Sequence, residues 1–230
     1  MEQIDRFIVV FLNQFVGRSD VFDRLLDALV SVNLFTGIIL VACVWYVWFK
    51  KDAKRDLILR RFVGVALSGP VSRAVQLLFR YHPRPFHSVS FHSKVPANVE
   101  PAQFNHWSSF PSDHAAVFGA LATLITFHSR RLGIAAWIWT GVIVLPRIYL
   151  GYHWPSDVVA GLAIGFSCVY LGRFLPERAA AFVLKLETRN RPGFYAVAFL
   201  ISYEVGILFE DLRRAGTALS ALGHLIRGPG

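Results

Sequence analysis

Cysteine, methionine and charge are what this 230-residue chain has least of: two cysteines, one methionine, and 17% Asp, Glu, Lys and Arg together. Cys43 and Cys168 each stand inside an apolar run with no CxxC or histidine spacing, which argues against a disulfide framework and against a zinc site built on cysteine. With 54% apolar residues, 14% aromatic residues and a mean hydropathy of +0.46, the scarcity of charge excludes an ordinary soluble domain and points to the membrane. A hydrocarbon core of about 30 Å takes roughly 20 apolar residues per helical span, so the chain has room for five or six spans and no sizeable soluble domain besides. Acidic residues are scarcer than basic ones, 15 against 24, for a formal charge of +9. The basic residues fall in short clusters between apolar runs, so they read as topology signals, and nucleic acid is not an expected partner.

The expected architecture is all-α: a polytopic membrane bundle of about six transmembrane helices with an amphipathic interfacial helix in front. Ile4, Phe7, Ile8, Phe11, Leu12 and Phe15 share one helical stripe, so residues 1–27 are read as that interfacial helix and not as a cleaved signal peptide. The bundle is expected over 28–209, with spans near 28–49, 57–79, 112–127, 132–150, 156–172 and 193–209 and a tail over 210–230. A weakly amphipathic stretch, Ala215 to Ile226, lies in that tail. Six Lys or Arg between Lys50 and Arg61, the pair Arg130 and Arg131, and five basic residues from Arg173 to Arg191 place those loops in the cytoplasm. The 81–110 loop and the 151–155 turn then face the opposite side.

Three polar stretches break the apolar chain, each at an outer helix end: His82-Pro83-Arg84-Pro85-Phe86, Phe110-Pro111-Ser112-Asp113-His114, and the run from Arg147 to Asp157 containing Gly151 and His153. Ionisable groups at membrane depth are costly, so three sets at one level are more economically one site than three accidents. His153 and Asp157 are four apart where Pro155 can open a helix, which lets the carboxylate reach one imidazole nitrogen and leave the other nucleophilic. The planar fork of Arg147 suits two phosphate oxygens. Ser112 can cap the next helix, whose first-turn N–H groups make an anion site beside His114, a candidate general acid. Arg84 is held between two prolines. Read singly, each stretch also has a plain structural use: a loop histidine, an N-cap, a turn at a membrane surface.

Together the stretches resemble the signature of the type 2 phosphatidic acid phosphatase superfamily, K-x6-R-P, P-S-G-H and S-R-x5-H-x3-D. Their wording, with the stretch Gly17 to Asp23, is more similar to the bacitracin-resistance branch, the undecaprenyl pyrophosphate phosphatases. The resemblance covers roughly residues 1–172. It implies a metal-independent, cofactor-free hydrolase working through a phosphohistidine: His153 as nucleophile, Asp157 holding it, His114 protonating the leaving group, and Arg84, Ser112, Asp113 and Arg147 at the phosphoryl oxygens. The substrate it implies is undecaprenyl pyrophosphate, dephosphorylated at the outer face of a bacterial cytoplasmic membrane, with the polyprenyl tail in lipid.

Three positions depart from that signature. Leu77 stands for the lysine, Asp113 for the glycine and Pro146 for the serine before Arg147. Arg80 and Arg73 lie one helical turn to either side of Leu77. Arg73 and Glu204, the deepest charges in the spans, are expected to pair, which leaves Arg80 to replace the lysine. The nearest rivals are a phosphatase for phosphatidylglycerophosphate, phosphatidic acid or lipid A, and a non-catalytic lipid-binding protein with a degenerate site. A zinc site among His82, His87, His92 and His106 is a further alternative, against which stands the lack of tight ligand spacing.

Overall fold

The computed structural model describes residues 2–32, 34–88, 94–95 and 107–211, and among them are nine α-helices and no strand. α1 (Glu2–Asn13) and α2 (Asp20–Ser31) come first. They are followed by α3 (Ile39–Trp48), α4 (Arg55–Leu78), α5 (Asp113–His128), α6 (Arg130–Tyr149) and α7 (Pro155–Gly172). α8 (Glu177–Arg189) and α9 (Arg191–Gly206) end the described chain. α6 and α7 are each long and apolar enough to cross a membrane, and α2 with α3, bent by 68°, makes a third span if the pair is taken as one. α4, α5 and α9, at 24, 16 and 16 residues, occupy the other three stretches read as spans. The chain is an all-helical membrane bundle.

α5 is the axis. It is apolar all round, every residue from Ala115 to Ile125 is buried, and it packs on α4, α6 and α7. Large apolar side chains on the outer helices, among them Leu77, Ile138, Val159, Phe166 and Phe199, are exposed, as lipid-facing surfaces require. With no hydrophobic gain from helix contact in lipid, close packing needs small residues. Gly161 and Gly165 of α7 supply them: a Cβ on Gly161 would overlap the Ser112 carbonyl and stand 2.9 Å from Ala115 Cβ, and one on Gly165 would overlap the Ala116 carbonyl.

Three features differ from the sequence expectation. The uncharged run from Ala28 to Phe49 is not one helix, because α2 ends at Ser31 and a π-helical turn (Leu34–Ile38) precedes α3. The wide turn brings Gly37 against the Gly206 backbone, where any side chain would collide. The first 27 residues hold α1 and most of α2, joined by a turn in which Gly17 has φ +75° and Ser19 caps α2. The basic loop after α7 forms a helix of its own: α8 is tied to α4 by Arg60–Glu177 (3.3 Å) and Arg55–Glu187 (3.2 Å). The stretch Ala215 to Ile226, with His92 and His106, lies outside the described residues.

Candidate active site

The three polar stretches meet at one end of the bundle. Gly151, at φ +77°, turns the chain from α6 to α7 and lets Phe86 approach to 3.2 Å of where a Cβ would be. Trp154 Nε1 donates to the Pro83 carbonyl at 2.8 Å, the Ser109 amide to the His82 carbonyl at 2.9 Å, and the Ser112 amide to the Asp157 carbonyl at 3.0 Å. Hydrogen bonds to backbone carbonyls thus lock each stretch to another.

His153 is 2% exposed. Its Nδ1 lies 3.0 Å from the Ser109 carbonyl oxygen and 3.6 Å from Asp157 Oδ2. A carbonyl only accepts, so Nδ1 carries the proton and Nε2 of the neutral ring keeps its lone pair. Burial pushes the His153 pKa below the usual histidine value, which holds the ring neutral. The sequence reading gave the orienting task to Asp157 alone; the shorter contact is with Ser109, and Asp157 is divided. Its Oδ2 accepts from the Trp154 amide at 2.8 Å, capping α7, while Oδ1 stands 3.5 Å from His82 Nδ1. The nearby Asp157 carboxylate raises the His82 pKa, while His82 Nδ1 lies 2.9 Å from Ser109 Oγ.

Arg84 and Arg147 are buried, at 6% and 7% exposure. Arg84 Nη1 donates to the Tyr152 carbonyl at 2.7 Å and Arg147 Nη2 to the Val30 carbonyl at 2.8 Å; Nε of Arg147 makes no hydrogen bond among the described residues. The two guanidiniums act on one another electrostatically, Arg84 also on His153, and Arg147 also on His114. Burial lowers the Arg84 pKa, opposed by Asp113 and Asp157. Desolvating two like charges side by side costs several kcal/mol unless anions answer them, so the site suits a multiply charged oxyanion.

Ser112 caps α5, its Oγ accepting from the Ala115 amide at 3.4 Å. Asp113 turns away from the role of phosphate ligand: its Oδ1 accepts from the His114 amide at 2.8 Å and lies 2.9 Å from His114 Nδ1. The carboxylate that would have repelled phosphate orients the second histidine instead, leaving His114 Nε2 as the free ring nitrogen.

Leu77 is 72% exposed, an apolar side chain on the outside of the bundle where the signature has its lysine. Arg73 does not pair with Glu204. Its Nη1 donates to Gln76 Oε1 at 2.6 Å and its guanidinium lies 4.4 Å from the Trp107 ring centre. The reason is rotational: at this level α4 presents Arg73 and Gln76 to the start of α5, and Gln76 Nε2 donates to the Pro111 carbonyl at 2.8 Å. Arg80 is exposed and makes no hydrogen bond to the site among the described residues.

The N-terminal helices strap the same end, which sequence reasoning did not foresee. Asp5 accepts from the Ser156 amide at 2.9 Å and from Ser156 Oγ at 2.6 Å, and Asp23 from Tyr149 Oη at 2.6 Å and the Gly17 amide at 2.9 Å. The polar residues of Gly17 to Asp23 were a visible signal; the carbonyls of Ser109 and Val30 carry none. Among the described residues no three His, Cys, Asp or Glu side chains are grouped to hold a metal.

Buried arginines around two oriented histidines, at the mouth of an apolar membrane bundle, make this the candidate active site. The chain belongs to the PAP2 superfamily, whose model matches residues 57–179, more than half its length. It is 32% identical over 142 residues to a protein of Escherichia coli K12 named putative undecaprenyl-diphosphatase YbjG, a match covering 59% of this chain and 65%, just under two thirds, of that protein. It is 35% identical over 108 residues to the lipid A 1-phosphatase of Rhizobium etli, covering 45% of this chain and 44% of that one. The crystal structure of Aquifex aeolicus LpxE shares the fold with a TM-score of 0.53 at 23% identity, over 72% of this chain and 92% of the other.

Proposed function

We propose that the protein removes the terminal phosphate of undecaprenyl pyrophosphate, at the outer face of a bacterial cytoplasmic membrane, through a phosphohistidine. The observation that carries this reading is His153: buried, held at Nδ1 by the Ser109 carbonyl, and within the field of the buried Arg84 guanidinium. His153 Nε2 attacks the terminal phosphorus, the bond to the bridging oxygen breaks, and that oxygen leaves with the lipid phosphate, taking a proton from His114 where it needs one. Arg84, Arg147 and the capped start of α5 hold the three phosphoryl oxygens as charge spreads over them. Water then cleaves the P–N bond, returning His153 and releasing inorganic phosphate. The relative named an undecaprenyl-diphosphatase supports the polyprenyl substrate; the similarity to a lipid A 1-phosphatase favours a second reading, a lipid A phosphatase.

The test compares purified enzyme on undecaprenyl pyrophosphate, lipid A, phosphatidylglycerophosphate and phosphatidic acid, with acid-labile, base-stable phosphate sought on the protein. A preference for lipid A, or label that survives in His153→Ala, refutes the corresponding half of the proposal.

A further inference from the structure

Arg73 is a half-buried cation that the mechanism above does not use. It lines a cavity of about 340 Å³ with Trp107, Asp113, Val117, Leu208 and Phe209, a volume within the range of small-molecule sites, roughly 300–1,000 Å³. Nη1 is engaged by Gln76, whose own amide is tied to the Pro111 carbonyl, and the Trp107 ring lies against the guanidinium. Side chain and position are therefore fixed from two directions, while Nε and Nη2 make no hydrogen bond among the described residues. The carboxylate sharing the cavity, Asp113, has Oδ1 committed to His114. The opposite wall is apolar, and Leu208 and Phe209 hold left-handed backbone, φ 55° and 58°, which non-glycine residues adopt at a cost of order 1–3 kcal/mol.

We infer that this cavity is a second phosphate subsite, in which Arg73 receives the phosphate retained by the lipid and so selects diphosphate over monophosphate substrates. The inference rests on the phosphatase reading above. Cleavage leaves the bridging oxygen on the departing lipid. If that oxygen belongs to an alcohol, the departing group needs a proton, which is the task assigned to His114. If it belongs to a second phosphate, the departing group is already a stable anion and needs a counter-charge instead. The Asp113–His114 pair marks the leaving-group side, and Arg73 is the cation lining the same cavity as Asp113. Its planar fork matches a phosphate edge, and the apolar wall beyond it matches the first prenyl units.

Arg73→Gln, Arg73→Lys and His114→Ala are compared with wild type in detergent on farnesyl diphosphate and farnesyl monophosphate. Arg73→Gln is expected to lose at least tenfold more kcat/KM on the diphosphate than on the monophosphate, Arg73→Lys to recover most of that difference, and His114→Ala to show the reverse bias. A binding arm needs no turnover: wild type should bind a farnesyl methylenediphosphonate at least tenfold more tightly than farnesyl phosphonate, and Arg73→Gln should erase the preference. Equal losses on the two substrates, or a diphosphonate preference that survives Arg73→Gln, overturns the subsite. A wild type that binds the diphosphonate selectively through Arg73 yet hydrolyses neither compound leaves the subsite standing and overturns the phosphatase reading.

Discussion

Replacing Gly161 with alanine puts a methyl group where α7 crosses α5, eight residues from His153 and against the backbone of Ser112. The new Cβ would fall inside contact distance of the Ser112 carbonyl oxygen, 2.9 Å from Ala115 Cβ and 3.2 Å from the Ala116 nitrogen. Comfortable separations are about 3.5 Å or more, so the two helices must part by roughly 1 Å. Backbone atoms line the contact on the α5 side, so no side chain can rotate away. Overpacking of this kind costs about 1–3 kcal/mol, and it acts where the Ser112 amide meets the Asp157 carbonyl at 3.0 Å. Since a displacement of about 1 Å between reacting groups can cost on the order of 100-fold in rate, Gly161→Ala should lower kcat by one to two orders of magnitude. Gly165→Ala, which overlaps the Ala116 carbonyl one turn deeper, should lower the melting temperature comparably but kcat far less. Thermal unfolding in detergent and steady-state hydrolysis of a prenyl diphosphate measure both. Wild-type kcat in Gly161→Ala would show that the seam does not set the site's geometry.

His153→Ala should abolish turnover, and more than a few per cent of wild-type rate would remove it as nucleophile. Because burial lowers the His153 pKa, the neutral ring persists as pH falls, so activity is present above that depressed value and lost through it; the acid limb of kcat/KM should lie below about pH 6.5, and a limb at higher pH would contradict the assignment. Activity should survive EDTA and be inhibited by vanadate, a mimic of the five-coordinate phosphoryl transition state; loss on chelation, restored by zinc or magnesium, would require a metal. A cysteine at Lys94 should react with an impermeant thiol reagent in intact cells and one at Arg130 should not; the opposite pattern would put the site in the cytoplasm.

What could be read ahead of the structure was whatever needs a rare side chain in an apolar context. Arg84, Ser112, His114, Arg147, His153 and Asp157 are costly in lipid, and their common level at helix ends was enough to group them. Less legible was what depends on rotation about a helix axis or on the backbone. Arg73 and Glu204 were paired by depth alone, but α4 turns Arg73 toward Trp107 and Gln76. The bond from His153 to Ser109 ends on a carbonyl that every residue possesses. The break between α2 and α3 lies where Gly37 approaches Gly206, far along the chain, and no local pattern carries it. α8 escaped because its apolar residues are interrupted by the same basic cluster that marks topology.

The Asp5 and Ser156 pair has a practical meaning for handling the protein. The two bonds fasten Asp5 of α1 to the first turn of α7, next to Asp157, so α1 and the reaction centre are mechanically one piece. Cargo attached to the exposed face of α1 would pull on that fastening, whereas the same cargo attached beside Arg130, at the other end of the bundle, would not. Substituting Asp5 with asparagine offers the converse: a loosened handle far away in sequence whose slackening should be felt in the acid limb of the pH profile before it is felt in expression level.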